Sequence, residues 1–271
     1  MNNSRRGGKS EVSNLFLSSM CLNHQMKRLA FISLLTALSL FNTGLATAHQ
    51  PVELGSKNTR ADQGPILVDG TVSFALRANF TKANQERGFR VSLKQGELLN
   101  FEYLIIDKAP ENKMALTKLP TVTITAPDGA KSIVKYTERT KFYEPYGRTN
   151  YLYLARYSTT ALEGIYHLSI KSNTKASITV STGSKEIFGQ VFQPASCPTI
   201  EPQQTPTVTN AQAATLIGMK KDAATSCAAK LGWEYRIGQE DDQLFALTKD
   251  YRLDRVTVVI KKGIITESVV G

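Results

Sequence analysis

The sequence predicts a mostly β protein with two domains, an antiparallel β-sandwich followed by a small α+β domain. Three observations support this fold class. Short segments in which apolar and polar residues alternate recur from residue 65 to residue 192, with turn signals between them. Four prolines then fall among polar residues at 194–210, a composition that excludes regular structure. From residue 211 onward, one helical period is followed by short alternating strands.

The N-terminal segment predicts an export signal rather than part of either domain. A positively charged start after Met26 leads into an apolar run at 29–41, and small residues at 46–48 form a cleavage site. That run has about 13 residues, whereas a membrane-spanning helix needs ~20. We therefore expect cleavage after residue 48, no stable membrane span afterwards, and a periplasmic or secreted protein. Residues 1–25 could be an over-extended start.

The first domain is predicted to consist of short strands. Alternation with a period of two residues is typical of a strand with one buried face, and turns such as 126–129 (Ala-Pro-Asp-Gly) end such strands. No segment in this part has a convincing helical period. The predicted strands cover residues 71–80, 89–93, 98–106, 121–125, 133–136, 151–156, 164–170 and 176–181.

The last part of the chain predicts one helix packed on a small sheet, with a long exposed loop before the central strand. An alanine-rich segment at 211–231 ends at Gly232, and its helical period is strongest from residue 218. Strands are predicted at 234–237, 253–260 and 264–270. The predicted organisation is a signal segment at 1–48, a flexible segment at 49–62, the β-sandwich at 63–193, the linker at 194–210 and the α+β domain at 211–271.

Charge and cysteine content exclude several classes of function. The formal net charge is +10, and the +6 that falls on residues 49–271 is spread without a Lys/Arg cluster, so we expect no nucleic-acid partner. Cys197 and Cys227 remain after signal cleavage, and they form one disulfide or stay free, with Cys227 as a small apolar residue of the helix. Neither has a second ligand at zinc spacing, so we predict no metal and no cofactor. After signal cleavage only two histidines remain, His49 and His167, far apart in the chain. With no nucleophile elbow either, we predict no catalytic residues and no enzyme.

The C-terminal part resembles a known inhibitor family. Leu216-Ile217-Gly218, the helix after it, and the segment 248–256 (Thr-Lys-Asp-Tyr-Arg-Leu-Asp-Arg-Val) are similar to the potato type I serine peptidase inhibitors, including the eglin-like ones. They are also similar to the exported bacterial peptidase-inhibitor family seventy-eight. The final Val-Val-Gly matches the Val-Gly with which such inhibitors end. The resemblance covers the domain at 211–271 only.

This resemblance implies an extended loop that enters a serine protease as a substrate does. The implied reactive bond is Lys249–Asp250, and a lysine before that bond implies a trypsin-like protease as partner. Arg255 is implied to hold both Thr248 and Asp250, and Thr257 stands where the family often has a second, longer support. The implied loop residues are Thr248, Lys249, Asp250, Tyr251 and Arg252, and the implied supports are Arg255, Thr257 and Gly271.

The middle of the chain resembles the bacterial pre-peptidase C-terminal domain. The matching features are the strand at Phe74, the turn at 94–97, the segment 123–129 and the strand at 164–170. The resemblance implies a jelly-roll-like sandwich and says little about function, because such sandwiches have many roles.

Two questions stay open from the sequence. The aromatic residues Phe142, Tyr143, Tyr146, Tyr151, Tyr153 and Tyr157 could form a platform on which sugars stack, or they could be ordinary strand residues. The alternative to an inhibitor is a non-catalytic module that binds a glycan or a protein outside the cell or in its envelope, with a degenerate inhibitor-like domain. The sequence does not identify a ligand of the sandwich.

Overall fold

A computed structural model describes residues 49–200 and 207–271 of the chain. The predicted signal segment at 1–48 and residues 201–206 of the predicted linker lie outside the described residues. The described part is mostly β, as the alternating segments predict. Within it, no helix is both long enough and apolar enough to cross a membrane.

The two-sheet region extends from residue 50 to residue 192. Its strands in chain order are β1 Gln50–Leu54, β2 Ile66–Leu67, β3 Phe74–Phe80, β4 Glu86–Leu93, β5 Leu98–Ile106, β6 Thr121–Thr125, β7 Lys131–Ile133, β8 Thr140–Glu144, β9 Thr149–Thr160, β10 Gly164–Lys171, β11 Ala176–Thr182 and β12 Val191–Phe192. The first sheet has the order β1-β3-β11-β5-β9-β8, and the second has the order β12-β2-β4-β10-β6-β7.

One hydrophobic core joins the two sheets. Alternate residues of β3, such as Phe74 and Leu76, belong to the same buried cluster as Phe89 and Val91 of β4. The period of two in these strands therefore places one side of each sheet in the core and leaves the other side for further contacts.

The two-sheet region differs from the prediction at its edges. The sheets are not purely antiparallel, because β1 pairs in parallel with β3 and β2 pairs in parallel with β4. The segment predicted to be flexible, 49–62, contains β1 and a short 3-10 turn at Ala61–Gln63. Its polar composition suggested a loose chain, but an edge strand needs only one buried side, and Leu54 supplies a core contact.

The C-terminal region, residues 207–271, contains two helices and a four-stranded sheet. The helices are α1 Asn210–Ala214 and α2 Lys221–Lys230, and the strands are β13 Glu234–Glu240, β14 Gln243–Leu244, β15 Arg255–Lys261 and β16 Ile264–Val270. The sheet order is β14-β13-β15-β16, in which β13 and β15 are parallel. The buried stripe of α2, formed by Ala224, Cys227 and Ala228, packs in one cluster with Trp233 and Val258.

Cys197 and Cys227 form a disulfide that ties the segment after β12 to helix α2. The two cysteines are separated by 30 residues, and the bond therefore closes a loop that includes the undescribed residues 201–206. The proline-rich segment is thus attached to the C-terminal region at Cys197. It is attached a second time where the Val208 N–H donates to the Leu253 carbonyl at 2.7 Å.

A buried arginine joins the two-sheet region to the C-terminal region. Arg90 of β4 is fully buried, and its guanidinium donates to the carbonyl of Ala214 at 3.0 Å and to that of Gly64 at 3.2 Å. Burial lowers the pKa of Arg90 to about 10, so the side chain stays charged at neutral pH. Around it, Ile66 and Phe192 pack against alanines of α1. The C-terminal region is thereby held against the second sheet.

Candidate functional site

The candidate site is the loop that connects β14 to β15, residues 245–254. Parallel strands such as β13 and β15 need a crossover connection, and here much of that connection has no regular secondary structure. Every side chain from 241 to 253 is exposed. The loop is tied at both ends, because the Phe245 N–H donates to the Gly238 carbonyl at 3.0 Å and the Leu253 carbonyl accepts from Val208. It is therefore fixed at its base and open along its length.

Arg255 supports the loop on one side of the Lys249–Asp250 bond. It is the first residue of β15 and is only 3% exposed, while Asp250 stands out in the loop. Its guanidinium donates to the Asp250 carboxylate at 3.0 Å and to the Asp250 carbonyl at 2.6 Å. One buried cation thus holds both the side chain and the backbone of the residue that follows the bond.

Arg236 supports the loop on the other side of the same bond. It lies on β13, directly beside Thr257 of β15 in the register of the sheet. Its guanidinium donates to the Thr248 hydroxyl at 3.3 Å and to the Thr248 carbonyl at 3.4 Å. It also donates to the Thr257 hydroxyl at 3.0 Å and to the Gly271 carbonyl at 3.1 Å. Arg236 therefore connects the loop, β15 and the residue after β16.

The support of Thr248 differs from the expectation. The resemblance implied that Arg255 holds both Thr248 and Asp250, but Arg255 bonds to Asp250 whereas Thr248 is held by Arg236. The uncharged Thr257 does not reach the loop as a longer side chain would. Instead it donates to the Gly271 carbonyl and accepts from Arg236, so it orients the second arginine.

Arg236 is a functional residue that the sequence alone did not single out. The short strand at 234–237 was predicted, but its parallel pairing with β15 was not, and that pairing is what places Arg236 beside Thr257. One signal was present in the sequence. A short residue at position 257 leaves room for a long basic side chain from the neighbouring strand.

The electrostatics of the loop favour an ionised Asp250. Hydrogen bonding to Thr248 and then to Arg255 lowers the pKa of Asp250 from 3.8 to about 2. Next along the chain, Arg252 forms ion pairs with Glu234 at 2.6 Å and with Asp254 at 2.7 Å. These exposed pairs contribute little free energy, so they orient the chain after the bond more than they stabilise it.

Gly271 accommodates the ring of Tyr251. The backbone φ of Gly271 is +120°, and a Cβ added there would lie 2.8 Å from Cδ2 of Tyr251. Its N–H donates to the Arg255 carbonyl at 2.9 Å. The positive φ favours glycine here, and a side chain would also have to displace the tyrosine ring.

Lys249 is the least constrained residue of the site. Its side chain is exposed, and among the described residues no hydrogen bond or ion pair involves it. The residues on either side are held while Lys249 extends into solvent. The structure thus brings together Thr248, Asp250, Arg255, Thr257 and Gly271, and it leaves Lys249 available for a partner.

A scan against protein-family models and a search of curated proteins both found no match for this chain. Within residues 49–200 and 207–271, no group of three or more His, Cys, Asp or Glu side chains is arranged to hold a metal ion.

Proposed function

We propose that this protein is an exported serine peptidase inhibitor whose reactive bond is Lys249–Asp250. The observation that carries the proposal is the support of one exposed peptide bond from both sides by two arginines of adjacent strands. Such a loop presents a substrate-like segment while its backbone stays fixed.

The physical reason is preorganisation. A flexible loop loses conformational entropy when a protease binds it, and that cost lowers affinity. Here the carbonyls of Thr248 and Asp250 are already bonded to Arg236 and Arg255. If the protease cuts the Lys249–Asp250 bond, Arg236 and Arg255 keep the two new chain ends attached to the same sheet. The peptide bond can then re-form, because neither chain end leaves the protease.

Lys249 sets the class of protease in this proposal. A long cationic side chain fits a specificity pocket with a carboxylate at its base, which is the preference of trypsin-like enzymes. Chymotrypsin-like and elastase-like enzymes have pockets that disfavour a charged residue, so we expect weaker inhibition of both.

The rest of the sequence supports the same proposal. We infer that residues 1–48 direct export, that residues 63–193 form a jelly-roll-like sandwich domain, and that residues 211–271 form an inhibitor domain of the potato type I kind. A periplasmic or secreted location would place the loop where foreign proteases act. No catalytic role is assigned to any residue.

The test is a titration of active-site-titrated trypsin with the purified protein. We expect trypsin activity to fall linearly and reach zero near one inhibitor per enzyme, with chymotrypsin affected less. If the protein is hydrolysed without loss of trypsin activity, the loop is a substrate, and the alternative of a non-catalytic binding module takes its place.

A further inference from the structure

The outer face of the first sheet carries a cavity that the proposed inhibitor function does not use. The cavity has a volume of about 670 Å³ and lies on the two-sheet region, with Ala75, Thr179, Ser181 and Leu104 among its lining residues. Small-molecule sites occupy roughly 300–1,000 Å³, so the size fits a ligand of several rings.

The register of the sheet accounts for the floor of the cavity. Arg77, Thr179, Leu104 and Tyr153 are successive cross-strand neighbours on β3, β11, β5 and β9. Alternation along β5 places Leu104 on the outer face, because Tyr103 and Ile105 on either side of it both belong to the core. The small side chains of Ala75 and Ser181 beside this row leave the space above the sheet open.

Aromatic rings form the wall of the cavity. Phe142 and Tyr151 are paired across β8 and β9, and the rings of Phe142 and Tyr153 lie 5.2 Å apart. Tyr146 stands in the turn after β8 and is 66% exposed. Four of the six aromatic residues that the sequence grouped together thus line one cavity, and Tyr143 and Tyr157 do not.

The turn that carries Tyr146 is fixed before any ligand binds. The carboxylate of Glu144 accepts hydrogen bonds from the backbone N–H groups of Tyr146 and Gly147. The guanidinium of Arg156 lies 4.1 Å from the ring centre of Tyr153, which restricts that ring as well. Preformed aromatic walls lower the entropy cost of binding.

The charges of the lining favour a neutral ligand. The basic residues of the lining are Arg77, which lies 3.6 Å from Glu53, and His49, which becomes the first residue of the chain when the signal segment is cleaved after residue 48. Glu144 is occupied by the turn, which leaves Glu186 as the remaining carboxylate of the lining. The cavity therefore lacks the concentrated charge of one sign that a nucleotide or a phosphate ligand would need.

We propose that this cavity binds a neutral oligosaccharide built from β-linked, gluco-configured sugar rings. The faces of such rings carry axial C–H groups, which pack on the electron-rich faces of tyrosine and phenylalanine. Their equatorial hydroxyls point outward, where the hydroxyls of Tyr146, Tyr151 and Thr179 and the carboxylate of Glu186 can bond them. The three tyrosines supply both kinds of contact, unlike the aliphatic lining that a lipid chain would fill.

Calorimetric titration of the purified protein with cellotriose and with N,N′,N″-triacetylchitotriose, both neutral, tests the proposal. We expect saturable binding of at least one trisaccharide, and Tyr146→Ala and Tyr151→Ala should each weaken it by at least about fivefold. Tyr143→Ala is the matched control, because Tyr143 lies on the same strand as Phe142 and is 54% exposed but does not line the cavity. Binding by this variant should be unchanged.

Three results would overturn the proposal. One is no saturable binding of either trisaccharide up to about 10 mM, which corresponds to an affinity too weak for a built site. Another is equal weakening by Tyr143→Ala. The third is binding of decanoate in place of both sugars, which would make the cavity a site for an aliphatic chain. Trypsin inhibition by all three variants should equal that of the wild type, so failure of the sugar site is distinguishable from failure of the inhibitor proposal.

Discussion

Asp250 is the residue whose ionisation reports directly on the loop support. Its pKa in the folded protein is about 2, below the ordinary 3.8, so folding favours the carboxylate. That contribution is present above the ordinary pKa and is lost as the pH falls through about 2. We predict that the Asp250 carboxyl titrates near 2 in an NMR experiment and that Arg255→Gln moves its pKa upward. An unchanged Asp250 pKa in Arg255→Gln would show that Arg255 does not bond the Asp250 carboxylate in solution.

Arg236 is predicted to be as important for inhibition as Arg255. Arg236→Met removes the bonds to Thr248, Thr257 and Gly271 while keeping an apolar side chain of similar length. Charge-assisted hydrogen bonds contribute about 1.5–3 kcal/mol each, so we expect trypsin inhibition to weaken roughly tenfold or more and loop cleavage to become faster. Arg77→Met, which changes an exposed arginine of the two-sheet region, is the control and should leave both unchanged. Equal trypsin inhibition constants for Arg236→Met and Arg77→Met would contradict this role of Arg236.

At the level of single residues, the sequence predicted only contacts between residues close together in the chain, within one strand and the loop before it. The pairing of Arg255 with Asp250 spans five positions and is a local feature, so the motif at 248–256 implied it. The contact of Arg236 with Thr248 depends on which strands are neighbours and in which register. That information comes from the packing of the whole sheet and is not local to the chain.

At the scale of elements, alternation predicted the strands that have one side in the core. Strands β5, β6 and β16 lie at the predicted positions. Burial alternates along β5 and β6, and β16 begins directly after the turn at Lys262-Gly263. The strands β1, β2, β8, β12 and β14 were not predicted. They are short or lie at sheet edges, and a pair of residues such as Val191–Phe192 carries no periodic signal.

The predicted helix begins later than its helical period suggests. Gly218 has a φ of +90°, and its N–H donates to the Ile265 carbonyl at 2.8 Å. Residues before Lys221 therefore pair with β16 and divide the alanine-rich segment into α1 and α2. A capping box between Thr209 and Gln212 starts α1, and its first residue, Thr209, lies inside the predicted linker at 194–210.

The disulfide is predicted to stabilise the C-terminal region without contributing to the chemistry of the loop. For cysteines separated by 30 residues, the chain-entropy model gives about 3–4 kcal/mol. The double variant Cys197→Ser, Cys227→Ser should lose about that much free energy of unfolding in urea. Its inhibition constant for trypsin at 25 °C should stay close to that of the wild type, because Arg236 and Arg255 remain in place. A large loss of inhibition with unchanged stability would contradict this division of roles.

At the scale of the whole molecule, Arg90 is predicted to make unfolding cooperative between the two regions. Arg90→Ala leaves the carbonyls of Ala214 and Gly64 without their donor in a buried contact. We expect a loss of at least about 2 kcal/mol and a thermal transition that splits into two in calorimetry. Arg77→Ala, which removes a half-exposed arginine, should change neither. A single unshifted transition in Arg90→Ala would mean that the apolar contacts of α1 alone join the regions.

The central claim is that Lys249 enters the specificity pocket of a trypsin-like protease, and its most direct test is the trypsin inhibition constant of Lys249→Ala. Loss of a central anchor commonly costs about 2 kcal/mol or more, so we predict weakening by roughly thirtyfold or more. The matched control is Lys261→Ala, at the far end of β15 and about 20 Å from Arg255 by strand rise, and it should inhibit as the wild type does. An unchanged inhibition constant for Lys249→Ala would show that the 245–254 loop is not the reactive site.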